Sequence, residues 1–184
     1  METIRGGNVS IFQTILDLIA MRSFSNLWYW IALAVTWSSA SHWVLGIPFD
    51  MVLRANRKGG QAEADLMALT RINVARLMTI AREAGLVLAI MVPALHSFLL
   101  ITGFFYGSEL AQAVFLILFP LTLVWALGLK RAAYLEQALR DEVPVGFVIA
   151  QLSKHRITVQ AIGILAITLA AFWGMYMNLR YSVL

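Results

Sequence analysis

Ala84-Gly85-Leu86-Val87-Leu88-Ala89-Ile90-Met91-Val92-Pro93-Ala94-Leu95-His96-Ser97-Phe98-Leu99-Leu100-Ile101-Thr102-Gly103-Phe104-Phe105-Tyr106 contains no Asp, Glu, Lys or Arg. About 20 apolar residues in a helix cross the hydrocarbon core of a bilayer. Pro93, in the middle of the run, would break a soluble helix. Within a membrane it is tolerated, because neighbouring helices satisfy the freed carbonyl. Three further stretches have the same character: 27–47, 110–128 with Pro120 inside it, and 157–178. The pattern predicts an all-α membrane protein built as a four-helix transmembrane bundle.

Composition agrees. Of 184 residues, 60% are hydrophobic and 13% charged, with a mean hydropathy of +0.77. Soluble domains have roughly 45–50% apolar and about 25% charged residues. The net charge of +4 does not point to nucleic acid, because the basic residues flank apolar runs and form no soluble stripe. The chain has no cysteine. That excludes disulfides, thiolate catalysis and cysteine-ligated iron–sulfur clusters.

Ahead of the first span, Ile11, Phe12, Ile15, Leu16 and Ile19 share one helical face, with Ser10, Gln13, Thr14 and Asp17 opposite. This predicts an interfacial amphipathic helix over about 8–22, capped by Asn8 or Ser10. Residues 48–83 form the first long connection, where Pro48 and Gly59-Gly60 bound a basic segment. From Gln61 onward a helix is expected to protrude from the membrane and continue into the second span. The second connection, 129–156, extends the third span to about residue 142, where Pro144 stops it. The short apolar stretch 145–152 suggests a re-entrant or interfacial turn.

Six Lys and Arg residues fall in 48–83 and five in 129–156, against two before the first span and one after the last. The positive-inside bias then places both long loops, with their helical extensions, in the cytoplasm and both termini on the far side. Arg54, Arg57, Lys58, Lys130 and Arg131 are the expected contacts to anionic lipid headgroups or a partner.

Small residues recur every four positions at Ala34 and Ser38, with His42 next on the same line, at Gly85, Ala89, Pro93 and Ser97, and at Ala166, Ala170 and Gly174. Such stripes let helices approach closely where lipid removes the hydrophobic incentive. They serve packing within the monomer or a seam for a partner. His42 and His96 are the ionisable residues inside the spans, which makes them the candidates for haem or pigment ligation. Their depths differ by roughly 8–10 Å at 1.5 Å per residue, too much for one shared iron. No cofactor is therefore expected. Thr36, Ser38, Ser39, Ser41 and His42 make the first span polar near its inner half, but no nucleophile elbow surrounds the serines. With no intraspan carboxylate or lysine, and no P-loop or H-E-x-x-H motif, active transport and the common hydrolases are not expected. A passive channel lined by hydroxyls needs none of these.

Four strings are spread along most of the chain's length: Met21-Arg22-Ser23-Phe24-Ser25-Asn26-Leu27-Trp28-Tyr29-Trp30, Ser41-His42-Trp43-Val44-Leu45-Gly46-Ile47-Pro48-Phe49-Asp50, Gly59-Gly60-Gln61-Ala62-Glu63-Ala64-Asp65-Leu66 and Trp173-Gly174-Met175-Tyr176. In these strings the sequence resembles small multi-pass membrane proteins of alphaproteobacteria that carry the label "component of SufBCD complex". The resemblance implies the bacterial inner membrane. The label implies iron–sulfur cluster assembly, for which this chain offers no cysteine ligand and no nucleotide site. The expectation is a non-enzymatic accessory or assembly subunit that packs against another membrane protein or its own copy, with a passive channel as the alternative.

Overall fold

The computed structural model describes Phe24 and residues 26–182. The interfacial helix expected over 8–22 lies outside the described residues. The rest is almost wholly helical: α1 (Leu27–His42), a two-stranded hairpin of β1 (Trp43–Val44) and β2 (Ile47–Pro48), α2 (Phe49–Lys58), α3 (Gln61–Leu100), α4 (Glu109–Arg140) and α5 (Val145–Ser182). A turn of π-helix, Ile101–Phe105, closes α3. Three helices are long and apolar enough to cross a membrane: Gln61–Phe105, Glu109–Arg140 and Val145–Arg180.

Each long helix joins an apolar half to a charged half in one rod. At 1.5 Å per residue, the 40 residues of α3 extend about 60 Å, twice the hydrocarbon thickness. α3 and α4 run antiparallel through a short turn at 106–108, as do α4 and α5 through 141–144. The charged halves of all three therefore meet at one end.

Two features depart from the sequence reading. The first apolar run does not stay helical to residue 47. It leaves the helix at His42, and Trp43 pairs with Pro48 and Val44 with Ile47. Leu45 and Gly46 both have positive φ (54° and 77°), the combination that the tightest hairpins require. Gly46 adopts it freely, whereas for Leu45 it costs about 1–2 kcal/mol. Burial of the Leu45 side chain beside Gly128 offsets that cost, and Asn73 Nδ2 donates to Gly46 O at 3.1 Å. Second, 145–152 is no re-entrant turn. Val148 and Leu152 lie one helical turn apart and are fully buried, so this segment is the first part of α5.

The buried side chains form two cores. At the charged end, Val44 and Ile47 of the hairpin meet Phe49 and Val52 of α2, Leu66 and Val74 of α3, Leu135 of α4, and Val148 and Leu152 of α5. α2 forms because Phe49, Val52 and Ala55 share a face while Asp50, Arg54, Arg57 and Lys58 point away. Gly59 and Gly60, both at positive φ, stop it and turn the chain into α3. At the apolar end, Tyr29, Leu33 and Trp37 of α1 pack with Ala113 of α4 and with Val159, Ala166, Ala170 and Met177 of α5.

Candidate partner face and boundary clefts

α1 buries three large residues and presents a mixed outer face, in which a small and polar row runs beside the exposed Leu27, Ile31 and Val35. Tyr29, Leu33 and Trp37 are at most 4% exposed, whereas Ala34, Ser38, Ser39 and His42 face outward. The reason lies on α5. A Cβ added at Gly163 would come within 2.8 Å of Trp37 Cε3, and one at Gly174 within 3.4 Å of Phe24 Cβ. The α5 stripe of Ala166, Ala170 and Gly174 is thus a bed for aromatic rings, all three residues being buried. The stripes of α1 and α3 do not meet it. Ala89, Pro93 and Ser97 are exposed and Gly85 is half-buried, because α3 uses another face against α4. Of the three expected stripes, one packs inside the monomer and two face out.

The polar groups at this end are sparsely satisfied. Trp30 Nε1 donates to Phe24 O at 3.1 Å. Trp28 Nε1, Tyr29 Oη and Trp37 Nε1 are buried without a hydrogen-bond partner among the described residues.

The two histidines read as candidate ligands are not brought together. His42 is exposed at the end of α1, with its ring edge-on to Trp43. His96 is on α3, its ring 5.9 Å from those of Phe115 and Phe119. Its Nδ1 lies 2.8 Å from Val92 O and its Nε2 3.2 Å from Thr122 Oγ1. A carbonyl only accepts, so the Val92 contact puts the proton on Nδ1. The Nδ1 bond stays within α3, while the Nε2–Thr122 contact ties α3 to α4, and a metal at Nε2 would have to displace Thr122.

Gln112 and His155 are buried polar residues that the sequence reading did not single out. Gln112, 3% exposed, donates from Nε2 to Gly103 O at 2.8 Å and accepts from Trp173 Nε1 at 2.9 Å. One amide thus joins the π-helical turn, α4 and α5. Gly103 permits the approach, since a Cβ there would stand 2.9 Å from Gln112 N. His155 is 4% exposed on α5, opposite Gly128. Its signal was present: Val148, Leu152, His155 and Val159 follow helical spacing and all are buried. Gln112 had no comparable local signal, because its partners lie 9 and 61 residues away.

His155 stands between two openings at the boundary of the apolar and charged halves. Behind the hairpin is a cavity of about 330 Å³ walled by Ala40, Leu45, Leu77, Ile80 and Val124, with Asn73 and Arg76 as its polar side. On the other side, α4 and α5 flank a cleft of about 500 Å³ lined by Leu127, Lys130, Arg131, Tyr134, Gln151, Lys154 and Thr158. Arg131 Nη1 donates to Gln151 Oε1 there. The α3–α4 groove is different. Arg82 Nη2 contacts both carboxylate oxygens of Glu136 at 2.8 Å, and Arg140 adds a third contact at 3.3 Å. The Arg82 guanidinium, helped by Arg140, holds the Glu136 carboxyl below the usual glutamate range. Arg54, Arg57 and Lys58 are exposed along α2. Arg156 stacks on Phe49, its Cζ 3.9 Å from the ring centroid. No group of three metal-ligating side chains comes together among the described residues.

No protein-family model, curated protein or solved structure matches this chain.

Proposed function

We propose that this chain is a non-enzymatic integral membrane protein that serves as an accessory or assembly subunit of a larger bacterial inner-membrane complex, contacting it through the outer face of α1. The observation that carries this reading is the small and polar row on the outer face of α1. A helix whose outer surface meets lipid gains by pointing Leu, Ile and aromatic side chains outward, since hydroxyls and imidazole find no partner in hydrocarbon. α1 follows that rule along part of its outer face, where Leu27, Ile31 and Val35 are exposed, but it holds Trp37, Leu33 and Tyr29 inside and presents Ala34, Ser38 and His42 in a row outside. That surface suits another helix, which can approach the small residues closely and accept their hydrogen bonds.

The reading includes α1 as a fourth span. Its 16 residues reach about 24 Å, short of the roughly 30 Å hydrocarbon core, and the hairpin completes the crossing at the headgroup level. The clustered basic residues support a reading with the charged end in the cytoplasm and both termini outside. The test is purification through a C-terminal tag in gentle detergent, followed by mass spectrometry. A stoichiometric membrane companion is expected, and a chain that runs alone as a monomer overturns the proposal.

The same row of Ser38, Ser39 and His42 supports one other reading, a ring of identical copies with the Thr36–His42 face lining a passive pore. In that case the purified chain is a homo-oligomer without companions and conducts in planar bilayers.

A further inference from the structure

The cleft between α4 and α5 carries a chemistry that the two other basic regions lack. Lys130 and Arg131 enter it from α4 and Lys154 from α5, and no carboxylate lines it. In the α3–α4 groove, by contrast, Glu136 neutralises Arg82 and Arg140. Along the outer face of α2 the cations Arg54, Arg57 and Lys58 are exposed and line none of the three openings described. In the α4–α5 cleft, alone among the three openings described, cations from two helices converge on an open volume, about 500 Å³, without a counter-charge. The half-buried Arg131 is also oriented in advance, because Gln151, itself 8% exposed, accepts one guanidinium N–H and leaves the remaining donors for a ligand.

We infer that this cleft binds the phosphate group of an anionic phospholipid from the surrounding leaflet. A phosphate matches the donor set: a guanidinium fork beside two ammonium groups recognises a tetrahedral oxyanion. The lipid source follows from depth. The cleft lies where the apolar halves of α4 and α5 give way to the charged halves, the level of the headgroups. Leu127 forms its apolar margin. One turn further into the apolar half, helical spacing continues the same lines with Leu123 on α4 and Ile162 on α5, and with Leu165 a turn beyond that. Leu123 and Leu165 are exposed, at 45% and 60%, and offer an acyl chain a path beside the anchored headgroup. A soluble phosphate compound would use the cations and leave this path bare. The inference does not depend on the partner reading of α1, which lies on other residues.

The test is native mass spectrometry of the full chain released from nanodiscs of mixed phosphatidylglycerol and phosphatidylcholine. The triple variant Lys130→Gln, Arg131→Gln, Lys154→Gln is compared with Arg54→Gln, Arg57→Gln, Lys58→Gln, which removes the same charge. The wild type should retain phosphatidylglycerol selectively and the α2 variant should match it. The cleft variant should lose the preference by about a hundredfold, about fivefold per cation. Lys130→Gln and Lys154→Gln alone alter exposed side chains, do not threaten the fold and should each cost about fivefold. Equal losses in both triple variants, or in neither, overturn the inference. So does millimolar inorganic phosphate that stabilises the delipidated protein as well as phosphatidylglycerol does, since the source is then a soluble anion.

Discussion

The charged end and the apolar end of this molecule are assembled on opposite plans. At the charged end, four helices and a hairpin contribute aliphatic side chains to one core, and Leu66, Leu135, Val148 and Leu152 are fully buried. The bidentate Arg82–Glu136 pair is on its surface. At the apolar end, large residues face outward along α3: Leu86 is 77% exposed, and Ile90, Met91 and Phe98 exceed half. What is buried there is Tyr29 and Trp37 with Leu33 on α1, set against a row of small residues on α5 that Val159 and Met177 bound at either end. In water, burial of aliphatic surface drives association. In lipid that incentive vanishes, and shape and hydrogen bonds decide which faces meet. The contrast makes one chain testable by two rules.

The largest effect belongs to the charged-end core. Leu152→Ala should destabilise the protein by about 2–5 kcal/mol, the range for a cavity in a packed core. Leu86→Ala, at a surface as apolar as lipid, should change stability by less than about 0.5 kcal/mol. Thermal or denaturant unfolding in detergent compares them, and equal losses would abolish the distinction between the two ends. Next comes Gly163→Val, which forces Trp37 from its seat on α5. Overpacking of this kind costs about 1–3 kcal/mol. Tryptophan fluorescence should show the displaced ring even where the protein still folds. Gln112→Leu leaves Gly103 O and Trp173 N–H unpaired in a dry site, a loss of about 1–3 kcal/mol. Amide exchange should rise first in 101–106, where the π-helical turn loses its tie.

The smallest effect sits on the Glu136 pair. Its carboxyl is held below the ordinary value of 4.5 in the folded protein by Arg82 and then Arg140. A depressed folded-state value contributes stability that is present above the unfolded value and is lost as the pH falls through the folded one. Melting curves of the wild type should therefore weaken in acid more than those of Glu136→Gln. A variant with the same acid dependence would remove the pair from the account.

How far the sequence was legible follows the same division. Long apolar runs free of charge announce the three long helices, since only a bilayer explains them. Within those runs nearly every residue is apolar, so no periodic contrast shows which face turns inward. For that reason the stripes of α1 and α3 had no readable direction, and that of α5 was found buried only once Trp37 and Phe24 were seen against it. At the charged end the contrast exists. Phe49, Val52 and Ala55 against Arg54 and Arg57 mark α2, and Val148, Leu152 and His155 mark the start of α5, although both segments read first as connections. The hairpin was hidden for a different reason. Trp43-Val44-Leu45-Gly46-Ile47 is as apolar as a span, and only the positive φ at Leu45 and Gly46 separates it from α1. The α4–α5 cleft was half legible. Lys130 and Arg131 stood out as basic, but Lys154 joins them only through the antiparallel return of α5.

The most direct test of the account places a photo-crosslinking amino acid at position 38, on the outer face of α1, and at position 165, on the exposed face of α5, in cells. The account predicts a discrete protein adduct from position 38 and lipid adducts alone from position 165. Lipid adducts alone from both positions would contradict it, leaving α1 an ordinary lipid-facing helix.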